Sequence, residues 1–155
     1  MAVVTLISVN DVIYELGVRS LSAFLKSCGH TVRLAFVNED ESELTDATLR
    51  PLAELAEGSD LIGVSLLTHS HGKAVRVTEF LHANQQSIPI IWGGIHASGF
   101  PEESLEHADL VCLGEGEEVL AELVECLEDG HTFEGIRNLC YRRCRFPRTR
   151  PPLQG

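Results

Sequence analysis

The sequence predicts an α/β domain built on an open, parallel five-stranded sheet with helices on both faces. Three observations carry that expectation. Apolar, often β-branched runs recur along the chain. Between them stand segments whose apolar residues repeat at helical spacing. And 155 residues suit one domain with a real core rather than two.

AVVTLISV, residues 2–9, is an unbroken apolar run, the pattern of a strand buried on both faces. VRSLSAFLKSCGH follows, with apolar residues at 18, 21, 24 and 25 and Gly29 to close the helix. TVRLAFV reads as the second strand and residues 44–57 as the second helix. DLIGVSLL is a third buried strand, and HGKAVRVTEFLHANQQ is helical. IPIIWGG and DLVCLG are strands four and five. EGEEVLAELVECLEDG is an amphipathic helix that ends at Gly130, and NLCYR reads as a short last strand. Such alternation implies right-handed crossovers, and sheets of this kind bind ligands beyond the carboxyl ends of their strands. Four loops meet at that edge: 10–16, 65–71, 93–99 and 114–117.

Charge divides the chain at its end. Residues 1–139 hold seven basic and 23 acidic side chains, a net −16, whereas the last 16 residues carry +5. An acidic body argues against nucleic acid or an anionic membrane as partner. The folded domain is expected over residues 1–140, with 141–155 a basic, proline-containing tail or linker. No apolar stretch reaches the ~18 residues of a membrane helix. The start, MAVVTLISVND, has neither the basic region nor the cleavage site of a secretory leader. Five scattered cysteines suit reduced thiols in the cytoplasm.

Several chemistries fail on inspection. No GxxxxGK[ST] or GxGxxG follows strand one, and the acids of GEGEE would repel phosphate. A phospho-receiver would need an Asp where Ser65, Leu66 and Leu67 stand. No GxSxG marks a nucleophile. Cys140 and Cys144 have the spacing that opens a CxxxCxxC iron–sulfur motif, but Pro147 takes the third position. A metal site from His69, His71 and His96, joined by Cys112, remains open, since imidazole and thiolate suit zinc.

Three segments then combine. LGVRSLSAFLKSCGHTV, GGIHASGFPEE and GEGEEVLAEL occur in this order. Ser65 and Leu67 precede Gly93 and Gly94 by the spacing of an S-x-L…GG pair. Over residues 2–142 the chain resembles the N-terminal cobalamin (B12)-binding domain of cobalamin-dependent radical SAM enzymes. The resemblance implies a flavodoxin-like, Rossmann-type fold. It also implies that Ser65 hydrogen-bonds the cofactor's benzimidazole tail. Gly93 and Gly94 would keep the slot for that tail bare. By the same resemblance Asn10, Gly17, Leu67, Thr68 and Gly114 border the cofactor. His96 then lines the slot or meets the corrin edge, and Glu115 and Gly116 flank the tail.

One departure concerns the cobalt. Relatives of the methionine synthase type carry D-x-H-x-x-G after strand one, and that His ligates the metal from below. Aligning on Gly17 puts Val12 and Tyr14 at the Asp and His positions; aligning on Asp11 puts Ile13 at the His position. Cobalamin is therefore expected base-off, without a protein ligand to the metal, and with Tyr14 near the cobalt. S-adenosylmethionine and a 4Fe–4S cluster are expected only on a partner radical SAM domain, C-terminal or on a separate chain. Alone, the chain is not expected to be catalytic. Two other readings stay open: a stand-alone histidine-based metal domain, and an interaction module that binds no cofactor.

Overall fold

The computed structural model describes residues 1–11 and 15–142. Tyr14 and the tail beyond Arg142, with Cys144 and Pro147, lie outside the described residues. The elements alternate as follows: β1 (Val3–Ser8), α1 (Leu16–Ser27), β2 (Thr31–Phe36), α2 (Asp46–Ala56), β3 (Leu61–Ser65) and α3 (His71–Asn84). Then come β4 (Ile90–Gly93), two short helices α4 (Ile95–Gly99) and α5 (Pro101–Ser104), β5 (Leu110–Cys112), α6 (Glu117–Asp129) and β6 (Leu139–Tyr141).

The sheet order is β2-β1-β3-β4-β5-β6. Its first five strands are parallel, and β6 joins β5 antiparallel. The sheet thus has six strands, not the five expected. The extra one is the short last strand read in NLCYR, which adds to the sheet as a three-residue antiparallel edge. It runs from Leu139 to Tyr141.

The continuous apolar strands are explained by two cores. Successive residues of a strand point to opposite faces. Ile7, Ile62, Ile90 and Val111 enter a core with Leu49 of α2 and Val77 and Leu81 of α3. Their neighbours Leu6, Leu61, Ile91 and Leu110 enter the other, with Leu25 of α1 and Leu123 of α6. Each such buried side chain contributes about 1.5–3 kcal/mol relative to exposure.

Local chemistry sets the helix ends. Thr45 caps α2 by accepting from the Thr48 N–H, and the Thr48 hydroxyl in turn accepts from the Thr45 N–H. Gly130, in the left-handed region, closes α6. Just after β1, Asp11 is anchored: the buried Lys73 ammonium donates to Asp11 Oδ1 at 2.5 Å and to the Val37 carbonyl at 3.0 Å. The chain order reverses between β1 and β3, so a crevice opens at their carboxyl ends.

Candidate functional site

Ser8, Ser65 and Gly93 stand in register across the carboxyl ends of β1, β3 and β4. Each of the two serines ends a buried apolar strand, so its hydroxyl needs a partner. Both find the same one. Ser65 Oγ donates to Glu15 Oε1 at 2.6 Å, and Ser8 Oγ donates to Glu15 Oε2. Glu15 is the residue from which α1 starts, so one carboxylate fixes the helix to two strands.

Beside this row a cleft of about 510 Å³ lies between the sheet and helices α1 and α6. Leu6, Ile91 and Cys112 form its sheet wall, and Leu21 and Leu120 face them from the helices. The walls are apolar; polar groups gather at the mouth, from Glu15, Ser65, Ser98 and Glu115. That suits a mostly apolar small-molecule group with a few hydrogen-bonding atoms.

The two glycines after β4 have different reasons to be glycine. At Gly93 a Cβ would touch only Cys112 Cβ, at 3.9 Å, an ordinary contact. The protein itself therefore leaves room for a side chain there, and the bare backbone opens on the cleft. Gly94 has φ 103°, and a Cβ on it would come within 2.8 Å of the Leu66 carbonyl oxygen. This glycine is demanded by the turn and by the close approach of the β3 loop.

Of the residues singled out in the sequence, Gly17, Ser65, Leu67, Gly93, Gly94, Gly114, Glu115 and Gly116 all line the cleft. Asn10 does not: it is buried, and its Oδ1 accepts from the Leu67 N–H at 2.8 Å, so it holds the β3 loop in place. Thr68 is exposed and stands 3.4 Å from His96 Nδ1. His96 lies on the opposite face of the sheet, against His71 and Phe100. The turn at Gly94 rolls α4 so that His96 and Ala97 point inward on that face while Ser98 faces the cleft.

Sequence reasoning missed Glu15, Ser8 and Ser98. Ser98 accepts from the Gly114 N–H at 2.9 Å and so joins the loops after β4 and β5. A usable signal existed for Glu15: it is the acid adjoining the L-G that opens α1, opposite two serines at the ends of apolar strands.

Burial pushes the Cys112 thiol up to about 11, with the Glu117 carboxylate adding to the shift. The thiol is therefore neutral at pH 7 and a poor nucleophile. The folded state holds this proton more tightly than the unfolded chain, whose thiol titrates near 9. This contribution to stability is complete below pH 9 and is lost as pH rises from there towards about 11. Chemical denaturation across that window should show a decline that is shallower in Cys112→Ala, the raised Cys126 thiol and N-terminal amine accounting for part of what remains.

Comparison with known proteins gives a consistent picture. A family model described as the B12 binding domain matches residues 2–124. A curated relative, named as an uncharacterized methyltransferase of Pyrococcus horikoshii, is 28% identical over 112 residues. That match takes in 69% of this chain and 24% of the relative. Among solved structures, the radical S-adenosylmethionine methyltransferase TsrM from Kitasatospora setae, with cobalamin and a 4Fe–4S cluster bound, shares the fold at TM-score 0.77 and 20% identity. The likeness covers 94% of this chain and 30% of that one. The cobalamin-dependent S-adenosylmethionine radical enzyme OxsB, with aqua-cobalamin bound, matches at TM-score 0.74 and 22% identity, over 91% of this chain and 21% of its own. The chain spans about a quarter of the length of such relatives.

Proposed function

The chain belongs to the B12-binding domain family, and from that premise we propose that it is a cobalamin-binding module serving a radical SAM domain. The observation that carries the reading is the cleft itself, with Gly93 bare for no reason internal to the protein and Ser65 at its rim. The benzimidazole tail enters between the sheet and α1/α6, and Ser65 donates to its free nitrogen. Glu115 accepts from a hydroxyl or amide of the cofactor at the mouth. Cobalamin supplies the methyl-carrying or radical chemistry; this chain's residues orient and shield it.

The cofactor is held base-off and without a histidine ligand. Among the described residues no histidine lines the cleft, and His71 and His96 lie on the other face of the sheet. Tyr14 is the residue assigned to the lower side of the cobalt. The partner is a radical SAM domain with its own S-adenosylmethionine and 4Fe–4S cluster, as in the larger relatives, and the chain alone is not catalytic. A cytoplasmic setting belongs to the same reading, supported by the free thiols of Cys28, Cys112, Cys126 and Cys140. Among the described residues no helix is long and apolar enough to cross a membrane.

Gel filtration after incubation with excess hydroxocobalamin tests the reading. Cobalamin absorbance should co-elute with protein at about one equivalent. Reduced to Co(II), the complex should show an electron paramagnetic resonance spectrum free of nitrogen superhyperfine splitting. Colourless protein would defeat the cobalamin reading; nitrogen splitting would defeat only the histidine-free, base-off part of it.

A further inference from the structure

On the face of the sheet away from the cleft, three side chains converge from three elements. They are His71 at the start of α3, His96 in α4 and Glu103 in α5. Glu103 Oε1 lies 3.1 Å from His71 Nε2 and 3.6 Å from His96 Nε2, and all three atoms fall within 4.8 Å of one another. We propose that these residues bind one divalent transition-metal ion of the zinc class.

The spacing is the first argument. Ligand atoms about 2.0–2.1 Å from a tetrahedral ion stand roughly 3.4 Å apart. The two nitrogen–oxygen separations, 3.1 and 3.6 Å, bracket that value. The second argument is polar accounting. His71 Nε2 and His96 Nε2 are both buried, and neither makes a hydrogen bond of good geometry, Glu103 Oε1 being the carboxylate oxygen beside both. A buried polar atom left so is unfavourable, and here two occur side by side with their carboxylate neighbour. An ion that accepts both lone pairs would satisfy both nitrogens at once.

The third argument is orientation. His96 is 4% exposed, and its Nδ1 lies 3.4 Å from Thr68 Oγ1. With the hydroxyl accepting, the ring proton sits on Nδ1 and the Nε2 lone pair faces the cluster, the arrangement that metal-bound histidines require. Ring packing fixes both imidazoles: His71 sits edge-on to Trp92 with centroids 5.8 Å apart, and His96 lies 5.1 Å from Phe100. Glu103 is 46% exposed, which gives an ion a way in and leaves a position for water.

Donor chemistry narrows the ion. Two imidazoles and a carboxylate suit zinc and its neighbours, whereas calcium and magnesium favour oxygen-only sites. Of the residues named for a metal in the sequence, His71 and His96 take part. His69 is exposed and outside the cluster, and Cys112 belongs to the cleft on the other face. An ion here would pin α4 and α5 to the start of α3 and so hold the turn at Gly94 from behind. The proposal does not depend on cobalamin binding.

The test uses the full chain without a histidine tag or cobalamin, stripped with a chelator. Calorimetric titration with zinc chloride should show one equivalent bound. Glu103→Gln and His71→Ala should each weaken binding by about tenfold or more, with circular dichroism unchanged. Glu103→Gln is a near-isosteric surface change, so it remains informative if His71→Ala folds poorly. Cys140→Ser should bind like wild type. Absence of zinc binding, equal binding in Glu103→Gln, or loss of binding in Cys140→Ser would each overturn the assignment.

Discussion

Gly93→Val should lose cobalamin binding by at least about a hundredfold while the domain stays folded, a change of about 2.8 kcal/mol in binding. The substitution is mild for the protein. Gly93 ends β4, its backbone is free of the left-handed strain seen at Gly94, and the nearest atom to a new Cβ is Cys112 Cβ at 3.9 Å. A β-branched residue also suits a strand. Its two methyl groups have nowhere to go but the cleft. Absorbance titration measures the loss, and thermal melting should stay within the ±0.5 kcal/mol of a neutral change. Normal binding by this variant would mean that the tail does not use the cleft. Gly94→Val is the poorer probe. It forces a branched residue to φ 103° against the Leu66 carbonyl, so lost binding would also report a damaged turn.

Trp92→Ala should cost about 3–5 kcal/mol of stability, the range for large aromatic residues removed from a core. Trp92 is fully buried in β4, between the α3 side of the core and the ring of His107, which stacks on it at 5.6 Å. Its Nε1–H donates to Thr78 Oγ1 at 2.9 Å. Truncation leaves a cavity and strips a buried hydroxyl of its partner at once. Domains of this size have about 5–15 kcal/mol in all, so the midpoint of urea unfolding should fall sharply. A loss under about 1 kcal/mol would mean that the surrounding side chains collapse into the space. Trp92→Phe, which keeps most of the volume but not the N–H, should fall between the two.

The strands were legible because a two-faced parallel sheet writes itself as unbroken apolar runs. AVVTLISV and DLIGVSLL could hardly be anything else. The edge strand Leu139–Tyr141 was harder to count because three half-buried residues carry too little pattern. The cleft loops were legible from their glycines and from Ser65. The direction in which each loop residue faces was not. His96 sits two positions after Gly94, and adjacency in sequence suggested adjacency in space. A positive-φ glycine followed by a helical turn sends it to the other side of the sheet instead. Glu103, which meets it there, stood in the sequence only as one acid of the PEE segment. Glu15 went unseen because the group it answers is a pair of serines 57 positions apart in the chain, brought into register only by strand pairing.

That carboxylate has a thermodynamic consequence. Ser65 has one proton to give, and Glu15 already receives it. A ligand that takes the hydroxyl competes with the start of α1 for the same donor, leaving Glu15 with Ser8 alone. Coupling of this kind is reciprocal: conditions that tighten Glu15 on Ser65 lower affinity at the rim of the cleft, and an occupied rim loosens the first turn of α1 by the same free energy. The hydrogen bond that steadies the empty domain is therefore also a built-in competitor of whatever fills it.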